Sequence, residues 1–307
     1  MRELTLLVGI VAACGGTMGD QQPPLGRLEG SDTSLECADS PISVLTSQSG
    51  STHLGAFDPR TNNLSDLGAI SCPGDFAVGS PNSLLAVDHR GHVYVAYGIC
   101  GTERIYRIDP STMVCVETPF IRNVDPNYKD CLMEFSFMRD TAALDTETLF
   151  FLATGLEVPP APMPMSTPYY LGRVDPETGK QTVVGALAAP AQAAHSQHIP
   201  MAGDQNGQLF LDYNAYASLD IGTDIGTLDV PSATATTMWQ LTTAPTSEET
   251  AWYRMFAYWR DAFYLFTYSM PSSTGEIIKF TPADGSATTV APNPRILAVG
   301  AAACSPQ

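Results

Sequence analysis

The chain has 307 residues, enough for one large domain or two small ones. Acidic residues outnumber basic ones 32 to 15, the formal net charge is −17 and there is no basic run, which excludes a nucleic-acid surface built from clustered Lys and Arg. After the first residues no stretch reaches the roughly 18 consecutive apolar residues of a membrane helix.

In chain order, the first element is the apolar segment Leu4–Ala13. Its length fits the core of a secretory signal, about 7–15 residues, and falls short of the roughly 20 needed to cross a bilayer. Its last residues, Val11-Ala12-Ala13-Cys14, resemble the lipobox of bacterial lipoproteins. That resemblance implies a signal peptide over residues 1–13 and lipid attachment at Cys14, which becomes the first residue. Several acyl chains on one residue anchor stably to a membrane. Gly15, not Asp, implies by the same resemblance the outer membrane, at its periplasmic or cell-surface face. Residues 14–36 are polar, rich in Gly, Pro and Gln and without periodicity, and read as the lipidated cysteine and a flexible tether. Residues 37–307 read as one folded domain.

Within that domain an alternating strand ending in an Asp-Pro-like turn recurs: HLGAFDPRTNNL, RIYRIDPSTMVC, YLGRVDPETGKQ, DIGTLDVPSATA and the degenerate EIIKFTPADGSA. The turn residues are Asp58, Asp109, Asp175, Asp229 and Thr281, at spacings of 51, 66, 54 and 52. Asp opens a turn by bonding its own backbone, Pro presets the next φ, and Gly or Asn accepts the left-handed position. A second hairpin precedes each of the last four: LLAVDHRGHVYVAYG, AALDTETLFFLATG, MAGDQNGQLFLDY and FAYWRDAFYLFTYS. Its aromatic anchors are Tyr94, Phe150, Phe210 and Tyr264.

Four strands in about 50–60 residues, repeated, predict propeller blades. The fold expected is therefore an all-β β-propeller. Complete repeats begin near residues 77, 132, 199 and 252. The N-terminal PISVLTSQSGSTHLGAFDPRTNNLSDLGAIS lacks a first strand, and the C-terminal PRILAVGAAACSPQ supplies one. Together they make a fifth four-stranded blade that closes the ring, although shared segments also admit six.

Setting Cys14 aside leaves Cys37, Cys72, Cys100, Cys115, Cys131 and Cys304. An even count in an exported chain reads as disulfides, and no Cys/His spacing suggests zinc. Six cysteines allow 15 connectivities. A Cys37–Cys304 bridge would staple the chain ends, and proximity along the chain suggests Cys72–Cys100 and Cys115–Cys131.

The segments SPNSLLAVDHRGHVYVAYG, ETLFFLATG, LGRVDPETGKQTVVGAL, GDQNGQLF and ILAVGAAACSP resemble a family of lipoproteins from myxobacteria and related bacteria that has no assigned activity. The resemblance spans roughly residues 37–307 and implies fold and location, not chemistry. PNSLLAVDHRGHVYVA is also similar to blades of gluconolactonase-type and NHL-repeat propellers. Gluconolactonases carry a metal-ligating Asn-Gly near this place, whereas Asn82 here precedes Ser83, so that site is not carried over.

Chemistry-bearing motifs are sparse. His89 and His92 flank a turn, and His195 and His198 lie in AAHSQHIP without helical periodicity. There is no G-x-S-x-G elbow and no phosphate-binding Gly-rich loop. The insertion GLEVPPAPMPMSTPYY (155–170) reads as a surface loop, and Trp239, Trp252 and Trp259 as blade-packing residues. No catalytic, metal-binding or cofactor-binding residue is assigned and no cofactor is expected. The sequence favours a lipid-anchored binding or envelope scaffold, with the membrane and an unknown protein or glycan ligand as partners. The alternative is a metal-dependent propeller hydrolase or lyase, gluconolactonase-like, with its site in the central channel.

Overall fold

The computed structural model of the chain describes residues 40–48, 50–73, 84–97, 103–120, 128–140, 146–157, 169–175, 177–188, 199–212, 223–241, 252–269, 275–294 and 296–302. All of them belong to the unit Ser34–Gln307. Cys14, Cys37, Cys100 and Cys304 lie outside the described residues, as do Asn82, His195 and His198.

Twenty strands follow one another in the described residues, with no helix among them. They are β1 (Ile42–Gln48), β2 (Ser51–Asp58), β3 (Asn63–Ala69), β4 (Leu84–Val87), β5 (Val93–Tyr97), β6 (Arg104–Asp109), β7 (Val114–Glu117), β8 (Tyr128–Arg139), β9 (Glu147–Glu157) and β10 (Tyr169–Val174). The series continues with β11 (Gln181–Ala186), β12 (Met201–Gly203), β13 (Leu209–Asp212), β14 (Thr223–Asp229), β15 (Thr234–Leu241), β16 (Trp252–Trp259), β17 (Ala262–Ser269), β18 (Glu276–Thr281), β19 (Ser286–Pro292) and β20 (Ile296–Gly300).

Antiparallel pairing sorts them into five four-stranded sheets, the blades of a five-bladed propeller. Blades 1 to 4 are β4–β7, β8–β11, β12–β15 and β16–β19. Blade 5 has the order β20-β1-β2-β3, so the chain's last strand completes the sheet begun by its first three. Ser43 faces Gly300 and Val44 faces Val299 across that seam. The count is five, not six, and the closing strand is the one the sequence leaves over. The first strands of the blades, β4, β8, β12, β16 and β20, adjoin one another in cyclic order around the ring's centre.

Each blade buries both faces of its inner strands, so those strands read as apolar runs such as LLAV and LFLD. The core is accordingly five clusters, one between each pair of neighbouring blades. In the cluster between blades 4 and 5, Phe57 meets Phe266 edge to face with centroids 5.7 Å apart. The outer strands are largely exposed, and Leu67, Val114, Val183 and Met238 all lie on them. Trp239 packs against Phe210 and Phe263, and Trp259 against Tyr264.

The turn motif has one backbone explanation. The fourth residue after each turn residue has positive φ in every blade: Asn62 (57°), Met113 (57°), Gly179 (70°), Ala233 (50°) and Gly285 (69°). In four blades its N–H donates to the turn residue's carbonyl at 2.8–2.9 Å. Asp58, Asp109 and Asp175 each accept a second bond, from the N–H two residues on, at 2.9–3.0 Å. The aspartates are therefore turn-formers, as are Asp88 and Asp204 in the other hairpins.

The disulfide expectation is corrected. Cys72 pairs with Cys115, with Cα atoms 5.0 Å apart, and so with neither Cys100 nor Cys131. Cys72 leaves the outer strand of blade 5 and Cys115 lies on the outer strand of blade 1. Proximity along the chain misleads here because the outer strands of two consecutive blades, 43 residues apart at the cysteines, lie side by side once each blade is folded.

Candidate functional site

Antiparallel order puts the turns between strands 1–2 and 3–4 of blades 1 to 4, and the β2–β3 turn of blade 5, on one face of the ring. The connections between strands 2–3 and between blades lie on the other. Most of the insertion 155–170, together with His195 and His198, lies outside the described residues.

Several polar side chains cross between blades and are committed to holding them. Buried Glu103 accepts from the Leu132 N–H at 2.8 Å, joining blade 1 to blade 2. Fully buried Asp212 accepts from Arg254 Nε at 2.6 Å and Nη2 at 3.3 Å, joining blade 3 to blade 4. On the turn face the Glu147 carboxylate takes the His89 N–H at 2.8 Å and lies 2.9 Å from its Nδ1. That contact raises the His89 pKa above its ordinary value against the opposing effect of burial. His92 instead turns back on Asp88, 2.8 Å away. Glu134, on the inner strand of blade 2, accepts from the Phe135 N–H at 3.0 Å, and burial pushes its carboxyl well above the usual range. Among the described residues no three His, Cys, Asp or Glu side chains converge as a metal site.

The register of the first hairpins shows how the grooves between blades are filled. Across each first hairpin the aromatic anchors face a small inner-strand residue: Tyr94 faces Ala86, Phe150 faces Ser136, Phe210 faces Ala202 and Tyr264 faces Ala257. The next inner-strand residue is Phe137 in blade 2 and Tyr258 in blade 4. Each fills the groove to the preceding blade, Phe137 against Tyr94 and Tyr258 against Phe210, both with centroids 5.0 Å apart. In blade 3 that position is Gly203. A Cβ there would lie 2.0 Å from the Phe137 carbonyl oxygen, so the close approach of β12 to β8 requires glycine. Its N–H donates to Ser136 Oγ at 3.0 Å.

On the turn face, the groove between blades 2 and 3 holds a cleft of about 440 Å³. Its polar lining includes Asp140, Thr148, Arg173, Gln208 and Asp229, over apolar residues that include Phe150 and Leu228. Thr148 fixes Asp140 by donating to Oδ1 at 3.0 Å, and Ser232 donates to Asp229. Gln208 Nε2 donates to the carbonyls of Leu209 and Leu228 at 2.9 and 3.1 Å, leaving its own carbonyl as an acceptor. Arg173 stands beside Phe150 in the ladder. At the matching place in blade 1, Arg107 stands beside Tyr94 in the ladder, and its charge opposes the burial that raises the Tyr94 pKa. Phe150 has no hydroxyl, and Arg173 forms no ion pair among the described residues.

Sequence reasoning did not select this cleft. Its signals were the phenylalanine anchor Phe150 and a cation, Arg173, two residues before the Asp175 turn.

No protein-family model and no curated protein matches the sequence. Among solved structures, an oligogalacturonate lyase in complex with manganese is 12% identical with a TM-score of 0.39, over 79% of this chain and 59% of the lyase. A chain of a nidogen/laminin complex is 9% identical with a TM-score of 0.44, over 86% and 100%. TolB from Acinetobacter baumannii is 12% identical with a TM-score of 0.41, over 86% and 66%. This chain thus spans about three fifths of the lyase's length. Likeness at this level carries no argument about activity.

Proposed function

We propose that the protein is an exported, lipid-anchored scaffold of the bacterial outer membrane that binds a ligand without transforming it. The reading rests on the cleft between blades 2 and 3. Its carboxylates are fixed by Thr148 and Ser232 and its guanidinium forms no ion pair among the described residues, an arrangement suited to holding a polar molecule. The Cys72–Cys115 bridge supports export, since disulfides persist in oxidising compartments. The Val11–Cys14 segment supports the anchor.

Two measurements test this. Mass spectrometry of the membrane fraction should find acyl chains on Cys14, and Cys14→Ser should release a soluble periplasmic form. The purified ring, supplied with manganese and aldonolactones, should show no turnover. An unacylated Cys14 contradicts the anchor, and turnover abolished by a chelator contradicts the scaffold.

A further inference from the structure

We propose that the cleft between blades 2 and 3 binds a neutral pyranose, free or at the end of a glycan; this rests on the scaffold reading and names its ligand. The space, about 440 Å³, falls within the roughly 300–1,000 Å³ of small-molecule sites.

The chemistry of the lining narrows the occupant. Arg173 can only donate hydrogen bonds, while the carboxylates of Asp140 and Asp229 only accept. An occupant must therefore accept at one point and donate at others. A hydroxyl does both, and a sugar ring carries several. The two carboxylates and one guanidinium leave the cleft net negative, in a chain of charge −17, which disfavours an anionic ligand. The apolar part of the lining, Phe150 and Leu228, suits the C–H face of a pyranose. A ligand hydroxyl accepting from Arg173 would lie where the Tyr94 ring lies beside Arg107 in blade 1.

That comparison supplies a variant. Phe150→Tyr would place a hydroxyl beside Arg173 and complete within the protein the contact reserved for the ligand. The folded ring is titrated by ligand-observed NMR with glucose, galactose, mannose and N-acetylglucosamine, with oligosaccharides ending in each, and with glycine and alanine as zwitterions. At least one neutral sugar should bind at millimolar concentration. Arg173→Ala and Phe150→Tyr should each weaken it at least about tenfold while melting as the parent does. The exposed control Asp284→Asn should bind unchanged. Equal affinity for a monosaccharide and its oligosaccharide would mark a free sugar as the ligand, and tighter binding of the oligosaccharide a glycan end. Arg173-dependent binding of the amino acids alone would overturn the carbohydrate class while leaving the scaffold reading intact. Sugar binding indifferent to both variants, or no sugar binding at all, would overturn the proposal.

Discussion

At the scale of single residues the five outer turns turn on one dihedral. L-residues resist the left-handed region because Cβ crowds the following carbonyl, at roughly 1–2 kcal/mol. Gly285 has open space around its hydrogen, so Gly285→Ala should cost only that conformational term, about 1 kcal/mol. Gly179→Ala carries the same term plus a Cβ 2.2 Å from the Pro119 carbonyl oxygen, and should cost clearly more. Urea titration of both variants checks the order. Glu134 gives a second prediction. Its folded pKa is raised by burial, so its contribution to stability is complete below about 4.5 and declines as pH rises toward the folded value. Glu134→Gln keeps the acceptor for the Phe135 N–H. It should therefore gain in melting temperature over the parent as pH rises from 4.5 to 8, and equal losses across that range would contradict the assignment.

Among elements, the contacts between blades carry the account. His89 and Glu147 clasp blades 1 and 2, and the folded pKa of His89 is raised. A raised histidine contributes fully below about 6.5 and loses its contribution as pH climbs through the folded value. The melting-temperature deficit of His89→Gln should thus be largest near pH 5.5 and shrink by pH 9, and a deficit that grows with pH would refute the clasp. The outer strands of blades 5 and 1 are joined by Cys72–Cys115, so the double variant Cys72→Ser/Cys115→Ser should lose about 2–4 kcal/mol in urea. Blade strands and turns were legible in the sequence because period-two patterning and Asp-Pro chemistry are local. The Cys72–Cys115 pair was not, since its two ends, 43 residues apart, meet only when two consecutive blades pack side by side. Nor was the cleft, which depends on how Phe150 and Arg173 of one blade lie against Gln208 and Leu228 of the next.

For the whole molecule the decisive feature is closure. The Asp58 repeat lacks a first strand and the C-terminal segment has no partner of its own, so composition alone implied a seam, and β20 forms it against β1. Removing β20 would expose the unpaired edge of β1 and open both flanking clusters, to which Ile296, Ala298 and Val299 contribute. Each buried backbone group left without a partner costs about 1–3 kcal/mol, and several together match a domain's net stability of roughly 5–15 kcal/mol. The most direct test is the thermal melt of a chain ending at Pro294. The closed five-bladed ring predicts an unfolded or aggregating product, and a cooperative melt within a degree or two of the intact protein would contradict it.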